Sequence, residues 1–438
     1  MSGVPARDLH LAILGGGAGK RMKMGHPKLL HPVFFRPMVH YALDAARALP
    51  HRSLSLVVGR GEREFREQCR GYGDLLIVHQ EAPLGTADAV RALESFLAGE
   101  DGDVLILSGD AVLLTPRSLE ALRARHVESN AVCTVGVSAA TGAEAGVYCF
   151  RIRGLFDVLK GLGPAGPEGE FLLSDAVAAL AARGETTVEH RFDDPLETAD
   201  VNDLHELSQV EAILQERRNR ELMRGGVAIQ DSRTTLIDPR CRIEREVRIE
   251  AGCTVVNSVL EAGVAVESFC RIVDSEIGAG SRIRQGTCVE KAHVGRECRV
   301  GPYAHLRHGT RLDDSVWVGN YVEIKNATLG AGTRAAHLSY IGDALVGRNV
   351  SIGCGFVTCN SSGRPLKQRT IIEDDVFIGS ASQAIAPVKV GAGSFVATGT
   401  SVTEDVPPDS FVISRGRQVT KPGYAKKYGK GKNPFASR

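Results

Sequence analysis

The sequence predicts an α/β domain with a doubly wound sheet, followed by a left-handed parallel β-helix. Two patterns predict it. Strand-like apolar runs alternate with helical patterns over residues 1–200, and aliphatic residues recur every six positions after Leu236. The length of 438 residues also exceeds that of one ordinary domain, so two domains are expected.

The first domain is predicted from short β-rich runs separated by helical segments such as Thr86–Leu97. The predicted strands are Leu9–Leu14, Leu54–Val58, Leu75–Val78 and Val104–Leu107. Strands that alternate with helices form a mostly parallel sheet, with ligands at the carboxyl ends of the strands. A long charged helix, predicted from about Val201 to Met223 and ended by Gly225 and Gly226, would connect the domains over residues 201–226.

The second domain, residues 227–414, is predicted from its sixfold repeat. Triplets of aliphatic residues restart every 17 or 18 residues. Examples are Ile237, Ile243, Ile249 and Val255; Ile277, Ile283 and Val289; Leu312, Val318 and Ile324; and Val390, Val396 and Val402. Three six-residue faces per coil make a triangular prism filled by stacked aliphatics, with a small residue such as Gly278 at a corner. An ordinary sandwich would instead alternate with period two.

The composition constrains the class of function. A net charge of +1 argues against a nucleic-acid or membrane-surface protein. The ten scattered cysteines form no CxxC pair, which favours a reduced protein over a disulfide scaffold. Without a signal-peptide pattern or a run of about 20 apolar residues, a cytoplasmic location is expected.

The C-terminal arm, residues 415–438, is basic. After Asp409 the chain has no acidic residue but eight cations. Such an arm is either a solvated end or a segment that meets an anionic ligand. The sequence alone leaves both interpretations open.

Polar side chains cluster within a few coils of the predicted β-helix. They are Arg307, Glu323, Lys325, His337, Tyr340 and Asn360. The segment GNYVEIKNATLGAGTRAAHLSYIGDALVGRNVSIGCGFVTCN, residues 319–360, contains most of them. Here the chain closely resembles the bifunctional N-acetylglucosamine-1-phosphate uridyltransferase and glucosamine-1-phosphate acetyltransferase family, over about residues 9–420.

This resemblance implies acetyl transfer from acetyl-CoA to glucosamine 1-phosphate in a homotrimer. It implies that His337 is the general base and that Glu323 orients it. An amine that attacks a thioester must lose a proton, and a histidine suits that task. The implied acceptor-binding residues are Arg307, Lys325, Tyr340, Asn360 and Lys367, and the implied acetyl-CoA residues are Ser380, Thr398 and Arg415.

Two alternatives remain open for the second domain. His293, His305, His308 and His337 raise the alternative of a β-helix carbonic anhydrase, although the surrounding residues do not support it. The second alternative is that the prism is a nonenzymatic trimer scaffold. Within the family, Ser351 and Ser361 replace an asparagine and a tyrosine that face the acceptor, so the acceptor is either bound less tightly or is a different amino sugar.

A glycine-rich turn follows the first predicted strand, at Gly15–Gly17, and Lys28 comes shortly after it. Glycines let backbone N–H groups approach phosphates, and cations neutralise them. With the resemblance, UTP is the implied nucleotide and Asp110 and Asn202 are the implied Mg²⁺ ligands, giving UDP-N-acetylglucosamine as product. The implied nucleotide-binding residues are Gly16, Gly17, Arg21, Lys28, Gln80, Gly85 and Thr86.

The first domain departs from the family pattern. Lys20 stands where the family has threonine, Ala18 where it has lysine, and the sugar-binding segment is missing between Val137 and Val147. Two interpretations follow. The domain makes a nucleotide sugar from an altered substrate, or it is a folded remnant with little or no activity.

Overall fold

The computed structural model describes residues 7–16, 25–164, 169–199, 201–361 and 367–424. The chain forms two compact units, Met1–Arg217 and Arg218–Arg438. In the first unit the strands are β1 (Asp8–Leu14), β2 (Pro32–Val33), β3 (Arg36–Pro37), β4 (Ser53–Val58), β5 (Leu75–His79), β6 (Gly102–Ser108), β7 (Cys133–Val137), β8 (Glu144–Arg151) and β9 (Thr187–Arg191).

The helices differ from the sequence prediction at two places. They are α1 (Met38–Arg47), α2 (Glu62–Gln68), α3 (Thr86–Arg91), α4 (Glu94–Leu97), α5 (Pro116–Glu128), α6 (Leu155–Lys160), α7 (Leu173–Ala182) and α8 (Leu204–Arg224). The helix predicted over Thr86–Leu97 is two helices, α3 and α4. The predicted connecting helix is α8, which starts three residues later than predicted and contains the division between the two units.

The sheet of the first unit has the order β5-β4-β1-β6-β8-β7-β9. Strands β5, β4, β1 and β6 are mutually parallel, and β8 is antiparallel to β6. Alternate residues of β1 enter different cores, with Leu11 and Ile13 on one side and Ala12 on the other. Both faces of the sheet are therefore covered. The chain reverses its order at β1, and ligands bind at the carboxyl ends of strands at such a point.

The second unit is a β-helix whose parallel strands stack into three faces. The first face contains Ala228–Ile229, Arg248–Ile249, Ala265–Val266, Arg282–Ile283, Arg299–Val300, the start of Trp317–Lys325, the start of Arg334–Gly342, Ser351–Ile352, Phe377–Ile378, Phe395–Val396 and Phe411–Val412. The second face contains Leu236–Ile237, Thr254–Val256, Arg271–Val273, Cys288–Glu290, His305–Leu306, the ends of the same two long strands, Val357–Cys359, Gln383–Ile385 and Ser401–Val402.

The third face contains Arg242–Ile243, Val259–Leu260, Glu276–Ile277, His293–Val294, Arg311–Leu312, Thr328–Leu329, Ala344–Val346, Thr370–Ile372 and Val388–Val390. Each short strand points one side chain into the prism and the other outward. The predicted aliphatic stack forms one continuous core, in which Ile277, Ile283 and Val289 are fully buried. Full burial of such a side chain contributes roughly 1.5–3 kcal/mol, so the stack is the main source of stability. The predicted fold class is confirmed.

The glycines that follow core aliphatics have a packing reason. A β-carbon on Gly278 would lie 2.7 Å from the carbonyl carbon of Gly295 in the next coil, and one on Gly295 would lie 2.7 Å from the carbonyl carbon of Asp313. Consecutive coils therefore touch backbone to backbone at this corner. The prediction placed the small residue correctly, and the structure adds that the close stacking of coils requires it.

The ten cysteines are all free thiols. Seven are buried and pack as small apolar side chains, for example Cys253 and Cys270 in the core of the β-helix. Within the described residues, none of the helices combines the length and the apolar character that crossing a membrane requires.

Candidate functional site

His337 projects from the outer surface of the β-helix beside Asn320. The two residues are directly in register on adjacent coils. The Nδ1 atom of His337 lies 3.2 Å from the Oδ1 atom of Asn320. Because an amide oxygen only accepts hydrogen bonds, Nδ1 carries the ring hydrogen in this arrangement and Nε2 has the free lone pair. The exposed imidazole can therefore accept a proton at Nε2.

Glu323 is engaged with Arg307 and not with His337. The Nη1 atom of Arg307 donates to Oε1 of Glu323 at 2.6 Å. This hydrogen bond raises the pKa of the Arg307 guanidinium above its usual value. Within one chain, the residue that contacts the His337 imidazole is therefore Asn320, whereas the sequence prediction gave that orienting role to Glu323. Glu323 instead holds the guanidinium in position.

Tyr340 and Asn360 lie together next to Glu323. Tyr340 is in register with Glu323 on the following coil. The Nδ2 atom of Asn360 is 3.3 Å from the Tyr340 hydroxyl and donates to Oδ2 of Asp343 at 2.6 Å. Gly342 leaves room for both side chains, since a β-carbon there would lie 2.7 Å from Nδ2 of Asn360. These residues form a polar surface beside the Arg307–Glu323 pair.

Two lysines add positive charge around this polar surface. Lys325 follows Glu323 on the same strand, and it forms no ion pair with a carboxylate of the described ranges. Lys367 donates from Nζ to Oγ of Ser361 at 2.7 Å. The lysine thus meets one of the two serines that depart from the family pattern. The other, Ser351, is exposed on the first face next to Arg334.

The three residues predicted to contact acetyl-CoA come together at another corner of the prism. The backbone N–H of Gly399 donates to the carbonyl oxygen of Ser380 at 2.8 Å. A β-carbon on Gly399 would lie 3.6 Å from Cδ of Arg415. Gly379 packs against the backbone of Thr398. Ser380, Thr398 and Arg415 are all exposed, so hydroxyl groups and one cation face solvent at this corner.

In the first unit, Gly16 packs against the buried side chain of Gln80. A β-carbon on Gly16 would collide with the Gln80 amide oxygen, so any larger residue here would require the buried Gln80 side chain to move. The Nε2 atom of Gln80 donates to Asp88 at 2.8 Å and lies 3.3 Å from the carbonyl oxygen of Gly85. The predicted residues Gly16, Gln80 and Gly85 therefore lie together. Gly17 and Arg21, and the departures Ala18 and Lys20, lie outside the described residues.

Thr86 and Gly85 are held by the segment before α7. The backbone N–H of Leu173 donates to Oγ1 of Thr86 at 3.0 Å. The carbonyl oxygen of Phe171 accepts from the N–H of Ala87 at 2.9 Å, and the Phe171 backbone leaves no room for a β-carbon on Gly85. Gly85 and Thr86 are therefore fixed in place, and the Thr86 hydroxyl accepts from Leu173 while its own hydrogen stays available to donate.

Lys28 and Asp110 form an ion pair at the carboxyl end of β6. Nζ of Lys28 lies 2.5 Å from Oδ2 of Asp110, and Ser108 donates to the other carboxylate oxygen. Asn202 precedes α8, and its backbone N–H donates to Glu206 at 2.6 Å. Carboxylate and amide oxygens are the donors that Mg²⁺ prefers, so both side chains have suitable chemistry.

The connection between β7 and β8 is a short, closed loop. The N–H of Ser138 donates to the carbonyl oxygen of Ala143 at 2.8 Å, and the N–H of Gly142 donates to the carbonyl oxygen of Ser138 at 2.9 Å. Tyr148, within β8, donates to Glu144 at the start of that strand at 2.6 Å. The predicted gap in the sugar-binding segment thus corresponds to a tight hairpin.

The histidines of the alternative carbonic anhydrase do not converge within one chain. His293 lies on the third face, 3.1 Å from Glu276, whereas His305 lies on the second face, 3.7 Å from Glu290. His337 faces Asn320. Within the described residues of one chain, these histidines therefore form no common site.

Sequence reasoning missed Asn320 and Asp343. Each lies one coil, 17 residues, before the residue that it contacts: Asn320 before His337 and Asp343 before Asn360. Asp343 also accepts from Asn326, again 17 residues away, at 2.6 Å. In a parallel β-helix, residues one coil apart are neighbours. A search at that spacing around His337 and Asn360 would have found both.

Comparisons with known proteins cover nearly the whole chain. Residues 11–225 match the model of the MobA-like NTP transferase domain. The Bifunctional protein GlmU of Pelobacter propionicus is 39% identical, covering 94% of this chain and 97% of its own length. That of Geobacter metallireducens is 39% identical over 95% and 98%, and that of Listeria monocytogenes serotype 4a is 35% identical over 97% and 99%. The chain therefore belongs to the GlmU family of bifunctional transferases.

Proposed function

We propose that the protein transfers the acetyl group of acetyl-CoA to the amino group of an amino sugar phosphate, with glucosamine 1-phosphate as the acceptor. The observation that carries this proposal is the exposed His337, whose Nδ1 faces the Asn320 amide oxygen. The acceptor attacks the thioester carbonyl carbon as a neutral amine, and Nε2 of His337 takes the proton that the nitrogen loses. The C–N bond forms and the C–S bond breaks, and the imidazolium returns this proton to the thiolate, so that CoA leaves as the thiol.

The charged residues beside His337 bind the acceptor. Arg307, held by Glu323, and the unpaired Lys325 supply the positive charge that a sugar phosphate requires. Tyr340 and Asn360 meet the sugar hydroxyl groups. Lys367, which donates to Ser361, is the remaining proposed acceptor-binding residue. Because Ser351 and Ser361 stand where the family has an asparagine and a tyrosine, the acceptor is either bound less tightly or is a different amino sugar.

Acetyl-CoA binds at the corner formed by Ser380, Thr398 and Arg415. Hydroxyl groups there suit the amide groups of the pantetheine arm, and Arg415 suits a phosphate. The basic arm that begins at Arg415 gives further cations for the CoA phosphates. The proposal includes a homotrimer, which the family resemblance implies, because a neighbouring subunit would enclose the outward-facing catalytic residues. A cytoplasmic location fits these substrates.

The deciding experiment measures thiol release from acetyl-CoA by the full-length protein, with a panel of amino sugars. The panel contains glucosamine 1-phosphate, galactosamine 1-phosphate, glucosamine 6-phosphate and free glucosamine. Thiol release that depends on an amino sugar 1-phosphate supports the proposal. Release with none of them supports the nonenzymatic scaffold instead.

For the first unit we propose uridylyl transfer at a reduced rate. Two observations favour this reduction: the tight hairpin at residues 138–143 and the Lys28–Asp110 pair. UTP would contact the surface formed by Gly16, Gln80 and Gly85. Asp110 and Asn202 would hold Mg²⁺ through oxygen atoms once Lys28 turns toward a phosphate, and the cation would neutralise charge on the triphosphate.

Pyrophosphate release from UTP, N-acetylglucosamine 1-phosphate and Mg²⁺ tests the second proposal. A turnover below about 1 s⁻¹, the lower end of the ordinary range for enzymes, is expected. Pyrophosphate release as fast as acetyl transfer in the same preparation would contradict a reduced rate of uridylyl transfer. Pyrophosphate release with a second sugar phosphate and not with N-acetylglucosamine 1-phosphate would instead indicate an altered substrate.

A further inference from the structure

Cys288, Glu290 and His305 meet on the second face, in the coils just before the acetyl-transfer residues, where His305 is in register with Glu323. Their donor atoms are a thiol sulfur, a carboxylate oxygen and an imidazole nitrogen, and all three lie within 4.8 Å of one another. The Nε2 atom of His305 is 3.7 Å from Oε2 of Glu290. The three side chains are partly exposed, so an ion from solvent can reach them.

The β-helix itself brings the three donors together. Cys288 and Glu290 flank the buried Val289 in one strand, so both side chains point outward. His305 is in register with Cys288 on the next coil. Neighbouring strands lie about 4.8 Å apart, which places the ring above the thiol. The arrangement therefore follows from the stacking of coils and needs no special loop.

Two donor atoms in this cluster are available. Arg271 donates to Oε1 of Glu290 at 2.7 Å and leaves Oε2 without that partner. The Nε2 atom of His305 is shielded from solvent and has no hydrogen-bond partner in the described structure. A buried polar atom without a hydrogen-bond partner destabilises the fold. A bound cation would remove this destabilisation.

We propose that Cys288, Glu290 and His305 bind a divalent transition-metal ion of the Zn²⁺ class. Thiolate, imidazole and carboxylate are the ligands that Zn²⁺ takes in proteins. In a tetrahedral site the sulfur and nitrogen lie about 3.6 Å apart, so a small rotation of the side chains closes the present cluster. The thiolate and the carboxylate supply two negative charges to the ion, and Arg271, which donates to Glu290, adds one positive charge beside the site. Water completes the fourth position.

The test is a titration of the full-length protein with Co²⁺ in a buffer that contains a phosphine reductant. One equivalent is expected to give a near-ultraviolet thiolate-to-cobalt band together with visible bands of four-coordinate cobalt, and one equivalent of Zn²⁺ should remove both. The Asp110 and Asn202 region contributes no such thiolate band, because its donors are oxygen atoms.

Two variants and one control locate the site. Cys288→Ser should abolish the thiolate band, and His305→Gln should weaken cobalt binding at least tenfold. His293→Gln is the matched control, since His293 also contacts a glutamate, Glu276, but on the third face and without a cysteine in the cluster. Its titration should equal that of the unmodified protein. Absence of the band in the unmodified protein, or its persistence in both variants, would overturn the proposal.

Discussion

The imidazole of His337 lies 3.2 Å from the side-chain oxygen of Asn320, measured from Nδ1 to Oδ1, across two adjacent coils of the β-helix. The coil repeat creates this contact, because Asn320 and His337 are register partners. The contact fixes the ring tautomer and leaves Nε2 toward solvent. Asn320 is therefore a positioning residue for the proposed base.

Replacing Asn320 with alanine should reduce acetyl transfer. Loss of one hydrogen bond of about 0.5–1.5 kcal/mol that holds the tautomer corresponds to a decrease in kcat of about two- to tenfold. The KM for acetyl-CoA should stay unchanged, since Asn320 is remote from the Ser380 corner in the coil sequence. Steady-state thiol release measures both constants. Thr328→Ala, on the third face, is the control, and equal kcat values for the two variants would remove Asn320 from the mechanism.

Arg307→Ala should weaken binding of the phosphorylated acceptor. The side chain presents a guanidinium held by Glu323, and charge-assisted hydrogen bonds contribute about 1.5–3 kcal/mol. The KM for glucosamine 1-phosphate should rise about 10- to 100-fold. Activity with free glucosamine should change little, because that acceptor has no phosphate. A similar loss with both acceptors would show that Arg307 serves something other than the phosphate.

Ile283→Ala should destabilise the β-helix through a cavity in its stacked core. Ile283 is fully buried, and such a truncation costs about 2–5 kcal/mol. Urea unfolding followed by the fluorescence of Trp317, the only tryptophan, measures the free energy of unfolding of this unit. Arg282→Ala alters the exposed neighbour on the same strand and should shift it by less than about 0.5 kcal/mol. Equal midpoints for the two variants would contradict the packing argument.

Stability of the first unit should fall as the pH drops below about 6.5, the ordinary pKa of histidine. Burial lowers the pKa of His10 below this value, and its Nδ1 lies 2.8 Å from the Ser53 hydroxyl. The unfolded chain therefore binds the proton more tightly, so the stabilisation is present above pH 6.5 and is lost as the pH falls through the lower folded pKa.

The helical signal in circular dichroism reports this unit, because its helices supply most of the helix in the chain. Thermal unfolding between pH 5 and 8 should show a falling midpoint at acid pH. The His10→Gln variant should show a smaller decrease over the same interval. An unchanged slope would assign the pH dependence to other groups.

Much of the β-helix was predictable because its signal is local and periodic. Every aliphatic position of the sixfold repeat, such as Ile249 or Val300, points into one core. The break between α3 and α4 was not predictable, since the composition of Thr86–Leu97 favours helix throughout. In the structure Ala92 and Leu93 separate the two helices, although both keep right-handed helical backbone angles.

The candidate site was likewise predictable only in part. Side chains proposed to carry the chemistry, such as His337 and Arg307, were identified from residue type and resemblance. Their partners were not, because the partner of His337 depends on which residue lies one coil away. Glu323 is the example: its type suits the orienting role, but its position in the coil places it against Arg307.

The most direct test of the proposed function compares His337→Ala with the unmodified protein in thiol release from acetyl-CoA with glucosamine 1-phosphate. Removing a general base should lower kcat by about 10²- to 10⁴-fold while the oligomeric state and thermal midpoint stay unchanged. Thiol release at the unmodified rate in a folded His337→Ala protein would contradict the catalytic role of His337.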